Sequence, residues 1–262
     1  MSLLSAERAP SAAGSPAEPV LRSEGLHMRF GGVVALDGVD IDVPEGGILG
    51  LIGPNGSGKS TWVNCASGIL RPTSGRITFH GRDVTGWAPH RMYRLGLGRT
   101  FQRLENFPDM SLLDNMLLSV QESQGSLASR LFRHTEHAER DRALSLLEFM
   151  GIAALKSERA GSLSYGQQKL ADLAMALMAN PKVVILDEPM AGVNPALIEQ
   201  LVDRITELNA NGTTFLIIEH NLDVVMELCG RLVVLDHGTK IAEGPPDEIQ
   251  ANEDVLEAYF GR

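Results

Sequence analysis

Cysteine is scarce. The 262 residues hold two, Cys65 and Cys229, far apart and outside any Cys-x-x-Cys or Cys/His spacing. That excludes a disulfide framework and a thiolate zinc site, and both side chains are expected as small buried packing residues in a reducing compartment. Positive charge is also short: 23 Lys and Arg stand against 33 Asp and Glu, a formal net charge of −10. General electrostatic capture of DNA or RNA is therefore not the expected role, and no nucleic-acid partner is expected. No run reaches the ~18–20 unbroken apolar residues of a membrane helix. The richest stretch, Leu170 to Val184, is interrupted by Asp172, Asn180, Pro181 and Lys182. Met1 to Pro19 is rich in Ala, Ser, Pro and Gly but lacks the basic start and apolar segment of a secretory signal. Residues 1–20 are expected to form a disordered tail.

What is present is ordinary globular material. Hydrophobic residues make up 44% and charged residues 21%, which excludes collagen-like and fully disordered chains and suits one large domain or two small ones. Leu26 to Val43 alternates in short apolar pieces broken by glycines, which predicts a small antiparallel patch of edge strands. Ile48 to Ile52 is a continuous apolar run, the pattern of a strand buried on both faces. Lys59 to Ser67 reads as a helix that stops at Gly68. Helical spacing recurs over Asp114 to Val120 and Glu139 to Met150, with a polar loop or frayed helix between them. After Ser162 strands and helices alternate: helix 166–179, strand 183–186, helix 195–208, strand 213–218, a further helix, then strands 232–235 and 240–242. That order implies an α/β fold with a mostly parallel sheet covered on both faces.

Gly53-Pro54-Asn55-Gly56-Ser57-Gly58-Lys59-Ser60 fits G-x-x-x-x-G-K-[ST], directly after the buried strand and directly before a helix, the context this pattern requires. The glycines let backbone N–H groups curl around phosphates, the helix N-terminus adds partial positive charge, and Lys59 reaches the β- and γ-phosphates. Ser60 offers its hydroxyl to Mg²⁺, and Thr61 completes this set of nucleotide-binding candidates. Val183-Val184-Ile185-Leu186-Asp187-Glu188 is a buried strand that delivers two carboxylates to its C-terminal end, where α/β sheets bind ligands. Asp187 is expected on Mg²⁺, and Glu188 as the general base that aligns and deprotonates the attacking water.

Leu163-Ser164-Tyr165-Gly166-Gln167-Gln168, just before a helix and ahead of the acidic strand, resembles the LSGGQ signature of ATP-binding-cassette (ABC) ATPases. Gln102 in Arg99-Thr100-Phe101-Gln102 resembles the family's Q-loop glutamine, Ala191-Gly192-Val193-Asn194 its D-loop, and His220 its switch histidine. The likeness runs over roughly Leu21 to Gly261 and is nearest to the ATPase subunits of branched-chain amino acid and urea-amide uptake systems. Arg29 to Leu36, the two motif segments above, Glu188 to Pro195 and the ending Ala258-Tyr259-Phe260-Gly261 carry that narrower likeness. Tyr165 stands where most of the family has Gly, Asn194 where most has Asp, and Asn221 follows the switch histidine in place of Asp or Lys.

The resemblance implies a P-loop NTPase of ABC type, with a RecA-like core, an antiparallel β edge subdomain and a helical subdomain over about 103–165. It implies ATP and Mg²⁺ as ligands, with Ser60, Gln102 and Asp187 toward the metal and Glu188, His220 and Gln102 in catalysis. Two chains would face each other head to tail, each ATP held between one phosphate loop and the partner's Ser164, Gly166 and Gln167. Phe30 is the residue expected to stack on adenine. Transmembrane permease subunits, a solute-binding protein acting through them, and a peripheral place on the cytoplasmic face of the membrane complete the expectation. Phe107 and Met110, in the loop after Gln102, are expected to line the permease cleft. Two readings stay beside it: an ATPase of lipopolysaccharide-export type, and a soluble ABC ATPase. Repair-type soluble members carry long coiled-coil insertions and paired cassettes, which this chain lacks.

Overall fold

The computed structural model describes residues 19–100, 107–121 and 134–260. It opens with two long strands, β1 (Pro19–Phe30) and β2 (Val33–Pro44), followed by β3 (Ile48–Ile52), α1 (Lys59–Ala66), β4 (Ser74–Phe79) and β5 (Arg82–Asp83). Next come α2 (Pro89–Leu95), β6 (Leu97–Arg99), α3 (Leu112–Gln121) and α4 (His134–Phe149). The last part runs α5 (Tyr165–Leu177), β7 (Val183–Asp187), α6 (Pro195–Ala210), β8 (Thr214–Ile218), α7 (Leu222–Leu228), β9 (Arg231–Asp236), β10 (Thr239–Gly244), α8 (Pro246–Gln250) and α9 (Glu253–Phe260).

Two sheets result. One has the order β10-β9-β3-β8-β7-β6, parallel except for β10, and the other is antiparallel, β2-β1-β4-β5. The period-2 alternation of the central strands divides the core in two. Leu49, Leu51, Val183, Ile185, Leu216, Ile218, Val233 and Leu235 face one way, into a cluster with β1, β2, β4 and Trp62 and Val63 of α1. Val184, Leu186, Phe215, Ile217, Leu232 and Val234 face the other, against α3 to α7. The antiparallel strands expected at an edge thus share the core on one face of the parallel sheet. A single hydroxyl ties that side together: Ser23, 1% exposed, accepts from Trp62 Nε1 at 2.9 Å and Ile41 N at 3.0 Å and donates to the Val39 carbonyl at 3.1 Å.

Several boundaries differ from the sequence expectation. β1 starts at Pro19, inside the segment expected as tail, because Leu21 pairs with both Val43 and Phe79; the earlier part of that segment lies outside the described residues. The short apolar pieces 26–30 and 39–43 lie in two twelve-residue strands that turn at Gly31-Gly32, as expected, and register shifts carry β1 back past Gly25 and β2 back past Gly38. α4 begins five residues before Glu139, and the described residues of 103–165 form helices and turns, with one isolated bridge between Ser111 and Arg159.

A candidate nucleotide site at the ends of three adjacent strands

β3, β8 and β7 are neighbours, so the segments leaving their C-terminal ends meet: the phosphate loop after β3, His220 after β8 and Glu188 after β7. This is the crevice where α/β sheets place ligands. The phosphate loop needs glycine at both ends. Gly53 has φ +144°, and a Cβ there would lie 2.0 Å from the Leu235 carbonyl oxygen. Gly58, the N-cap of α1, has φ +104°, and a Cβ would meet the Ala35 carbonyl at 2.7 Å. Between them Asn55 and Gly56 are exposed at the crown, Pro54 is half-buried, and Ser57 is buried with its carbonyl accepting from Gly238 N at 3.0 Å. Behind the loop, α9 brings Tyr259; burial pushes its phenol pKa up, and the Gly53 amide works against that shift.

Lys59 Nζ donates to the carbonyls of Gly53 and Pro54, both at 2.8 Å. Burial lowers its pKa, and the nearby charges of Glu188 and Asp187 raise it. The lysine, the two carboxylates and the loop therefore share one electrostatic environment. Ser60, exposed, and Thr61, half-buried, follow in the first turn of α1.

Asp187 is the last residue of β7, 7% exposed. Its backbone N–H donates to Thr100 Oγ1 at 3.3 Å, and its Oδ2 accepts from Arg99 Nη2 at 3.0 Å. Arg99 Nη1 also donates to Asn64 Oδ1 and Ser67 Oγ, each at 2.8 Å. A buried guanidinium thus ties the acidic strand to the far end of the phosphate-loop helix. Glu188 sits at φ +50°, an uncommon conformation for a non-glycine residue. Its N–H donates to the Ile218 carbonyl at 2.9 Å, and its Oε1 lies 3.9 Å from His220 Nδ1. The His220 ring is mostly exposed at the mouth.

Glu219, between β8 and His220, was not singled out in the sequence, yet it is 1% exposed. Oε1 accepts from Met190 N at 2.7 Å and Oε2 from His220 N at 3.2 Å. Burial raises its pKa, while the N–H groups of Met190, His220 and Asn221 oppose the shift. One carboxylate therefore holds the segment after Glu188 and the histidine backbone at once.

The signature residues start α5. Ser164 is its N-cap: Oγ accepts from Gln167 N at 3.3 Å, and Ser164 N donates to Gln167 Oε1 at 2.8 Å, a reciprocal capping box. Gln167, expected at the nucleotide, thus has its carboxamide oxygen engaged in the cap. Gly166 has a packing reason as well, since a Cβ there would meet Leu197 Cδ2 at 2.4 Å. Both Asn departures are N-caps, Asn194 Oδ1 accepting from Leu197 N at 3.0 Å and Asn221 Oδ1 from Val224 N at 3.5 Å, a part that Asp would fill as well. Phe30 ends β1, 47% exposed beside the exposed Val33 and Val34, and so stands outside the core. Gln102 lies outside the described residues.

A cleft of about 430 Å³, whose lining includes none of the phosphate-loop residues, is bounded among others by Ile69, Met92, Tyr93, Arg99, Ser119 and Met175. Phe107 and Met110, expected in a docking cleft, are not in its lining. Phe107 is exposed, and its loop is pinned by Asn115, which accepts from Phe107 N at 2.7 Å and donates to its carbonyl at 3.1 Å. Among the described residues, no helix is long and apolar enough to cross a membrane.

Comparison with known proteins agrees with this geometry. Residues 36–191 match the family described as ABC transporter, and residues 239–262 match that described as branched-chain amino acid ATP-binding cassette transporter. The chain is 38% identical over 251 residues to the high-affinity branched-chain amino acid transport ATP-binding protein LivG of Salmonella typhimurium, covering 93% of this chain and 98% of the relative. It is 39% identical over 250 residues to the probable LivG of Methanocaldococcus jannaschii, covering 92% and 97%. A crystal structure of the ADP conformation of an ATP-binding cassette of an ABC transporter superposes with a TM-score of 0.83 at 39% identity, over 93% of this chain and 99% of the other. The chain belongs to the ABC transporter family, as one of its ATP-hydrolysing cassettes.

Proposed function

We propose that the chain powers an importer of branched-chain amino acids or a related small polar solute, by binding ATP in a head-to-tail dimer with a second cassette and hydrolysing it. The observation that carries the reading is the meeting of Lys59, Asp187, Glu188 and His220 at three adjacent strand ends. The match of residues 239–262, and the two relatives named for branched-chain amino acid transport, support the cargo class over the lipopolysaccharide-export alternative.

On binding, Lys59 exchanges the Gly53 and Pro54 carbonyls for phosphate oxygens, and the loop amides surround them. Ser60 and Asp187 supply hard oxygen donors, the set that suits Mg²⁺, which takes one or two protein ligands and fills its shell with water and phosphate oxygens. Held by Ser60 and Asp187, with Gln102 toward it, Mg²⁺ would supply neutralisation of charge on the β- and γ-phosphates. Glu188 accepts the proton of the attacking water and His220 fixes its orientation, with Gln102 contributing from its loop. Ser164 and the Gly166 amide, at a helix N-terminus, meet the γ-phosphate held by the second chain. Phe30 offers an exposed ring to adenine. Cleavage removes the group that bridges the chains, and the dimer opens. The apolar cleft beside α2 receives a permease segment at the cytoplasmic face of the membrane, where a solute-binding protein acts only through the permease.

Glu188→Gln tests the reading. ATP affinity stays, hydrolysis slows at least ~10²-fold, and light scattering detects an ATP-dependent dimer. Hydrolysis at the wild-type rate refutes the assignment of Glu188.

A further inference from the structure

The signature helix reaches the catalytic strand through a second route. Lys169 on α5 is buried, and its Nζ donates to the Glu188 backbone carbonyl at 3.0 Å. The same ammonium lies 5.6 Å from the centroid of the Tyr165 ring, one turn back on the helix, where residues i and i+4 share a face. Tyr165 in turn covers Gly192, at which a Cβ would come within 3.2 Å of the ring. A buried ammonium needs such partners, and a carbonyl dipole with an aromatic face provides them.

The position of this contact gives it significance. Glu188 holds a left-handed backbone, a conformation that persists only where surrounding groups enforce it. Three hydrogen bonds do so: Glu188 N to the Ile218 carbonyl, Ala191 N to the Glu188 carbonyl, and Lys169 Nζ to that same carbonyl. The first two come from neighbouring backbone in the strand and turn. Of these three, the last comes from the signature helix.

We propose that Lys169, backed by Tyr165, is a positioning residue that sets the Glu188 peptide from the signature helix, so that a shift of the signature on one nucleotide reaches the general base serving the chain's own nucleotide. This rests on the reading of Glu188 given above. It also gives Tyr165 a role: the ring that replaces the more usual glycine supports the lysine and contacts the turn after the strand.

The experiment uses the full chain. Lys169→Met keeps length and removes the donor. It lowers kcat about tenfold, the order of one charge-assisted hydrogen bond, while KM for ATP stays within about twofold, since no phosphate contact is lost. ATP-dependent dimerisation measured in a Glu188→Gln background is unchanged by adding Lys169→Met. Lys169→Arg, which returns a donor, recovers most of kcat. If Lys169→Met unfolds the chain, Tyr165→Ala at the exposed end of the pair lowers kcat severalfold at constant KM. Unchanged kcat in the folded variant overturns the proposal, as does a parallel loss of ATP affinity and thermal stability that Lys169→Arg does not reverse. Wild-type hydrolysis by Glu188→Gln removes the reading of Glu188 and the proposal with it. Slow hydrolysis there, with normal kcat in Lys169→Met, removes the proposal alone.

Discussion

Replacing Arg99 by Met removes a guanidinium whose side chain is 9% exposed and which holds Asp187, Asn64 and Ser67 together. The Asp187 side chain, 10% exposed, would keep its charge in a low-dielectric site without its cation. Two neutral acceptors on α1 lose their donor at the same time. Breaking a buried pair from one side costs about 3–5 kcal/mol, because the desolvation of the remaining ion is no longer offset. Unfolding entropy of ~2 cal/mol/K per residue makes each kcal/mol worth roughly 2 °C in a chain of this length, so Tm should fall by about 6–10 °C. Differential scanning calorimetry of the full chain measures it. The companion variant, Arg99→Met with Asp187→Leu, should recover to within ~1–2 kcal/mol of wild type, because two apolar side chains need no counter-charge. A single-variant loss below ~1 kcal/mol, or a double variant no more stable than Arg99→Met alone, would refute the argument that this pair ties β7 to α1.

Glu219→Gln keeps the shape but replaces one accepting oxygen by a donor that cannot receive the Met190 or His220 N–H, and a loss of about 1–3 kcal/mol in urea unfolding at pH 7 is expected. Burial raises the folded-state pKa of Glu219, so the native chain holds its proton over a window where the unfolded chain has released it. Stability should therefore rise relative to Glu219→Gln as pH falls through the range just above the ordinary value of 4.5, and a difference independent of pH there would count against the assignment. Burial pushes the Cys65 thiol to about 11 and the Cys229 thiol to about 12, leaving roughly a thousandth or less as thiolate at pH 8. Neither should react with an aromatic disulfide reagent until the chain is unfolded; one fast equivalent in the folded protein would contradict this. Ile69, 45% exposed on the cleft beside α2, is expected to become an obstacle as Asp. Ile69→Asp should abolish pull-down by permease subunits and leave ATP-dependent dimerisation intact, while Phe107→Ala, whose side chain lies outside that lining, should affect neither.

Features coded by adjacent residues were legible in the sequence. The apolar run Ile48–Ile52 followed by glycines and Lys59 became β3, the loop and α1 within a residue, and the helix expected from Pro195 is α6, which starts there with proline in its first turn. The first two strands were harder, because Gly25 and Gly38 look like strand ends, whereas bulges let the pairing continue past them. Contacts between distant segments were not legible. Arg99 lies 88 residues before Asp187 and 35 after Asn64, and no local pattern tells an arginine at a strand end which segments will surround it.

Strand parity, however, carries more of the site than the motifs do. Along β7 Val183 and Ile185 face the core shared with α1, and two further residues on the same parity lies Asp187, which meets Arg99 on that side. Along β8 Phe215 and Ile217 face the helices while Leu216 and Ile218 face α1. Carried past the end of the strand, the same alternation turns Glu219 inward with Phe215 and His220 toward the phosphate-loop side with Ile218. A carboxylate forced inward must find donors, and it finds Met190 N and His220 N. The histidine, on the opposite parity, stays exposed and comes within 3.9 Å of Glu188. The adjacent Glu and His thus take opposite places by position alone: one is buried and holds the turn, and the other stays exposed at the mouth of the crevice beside Glu188.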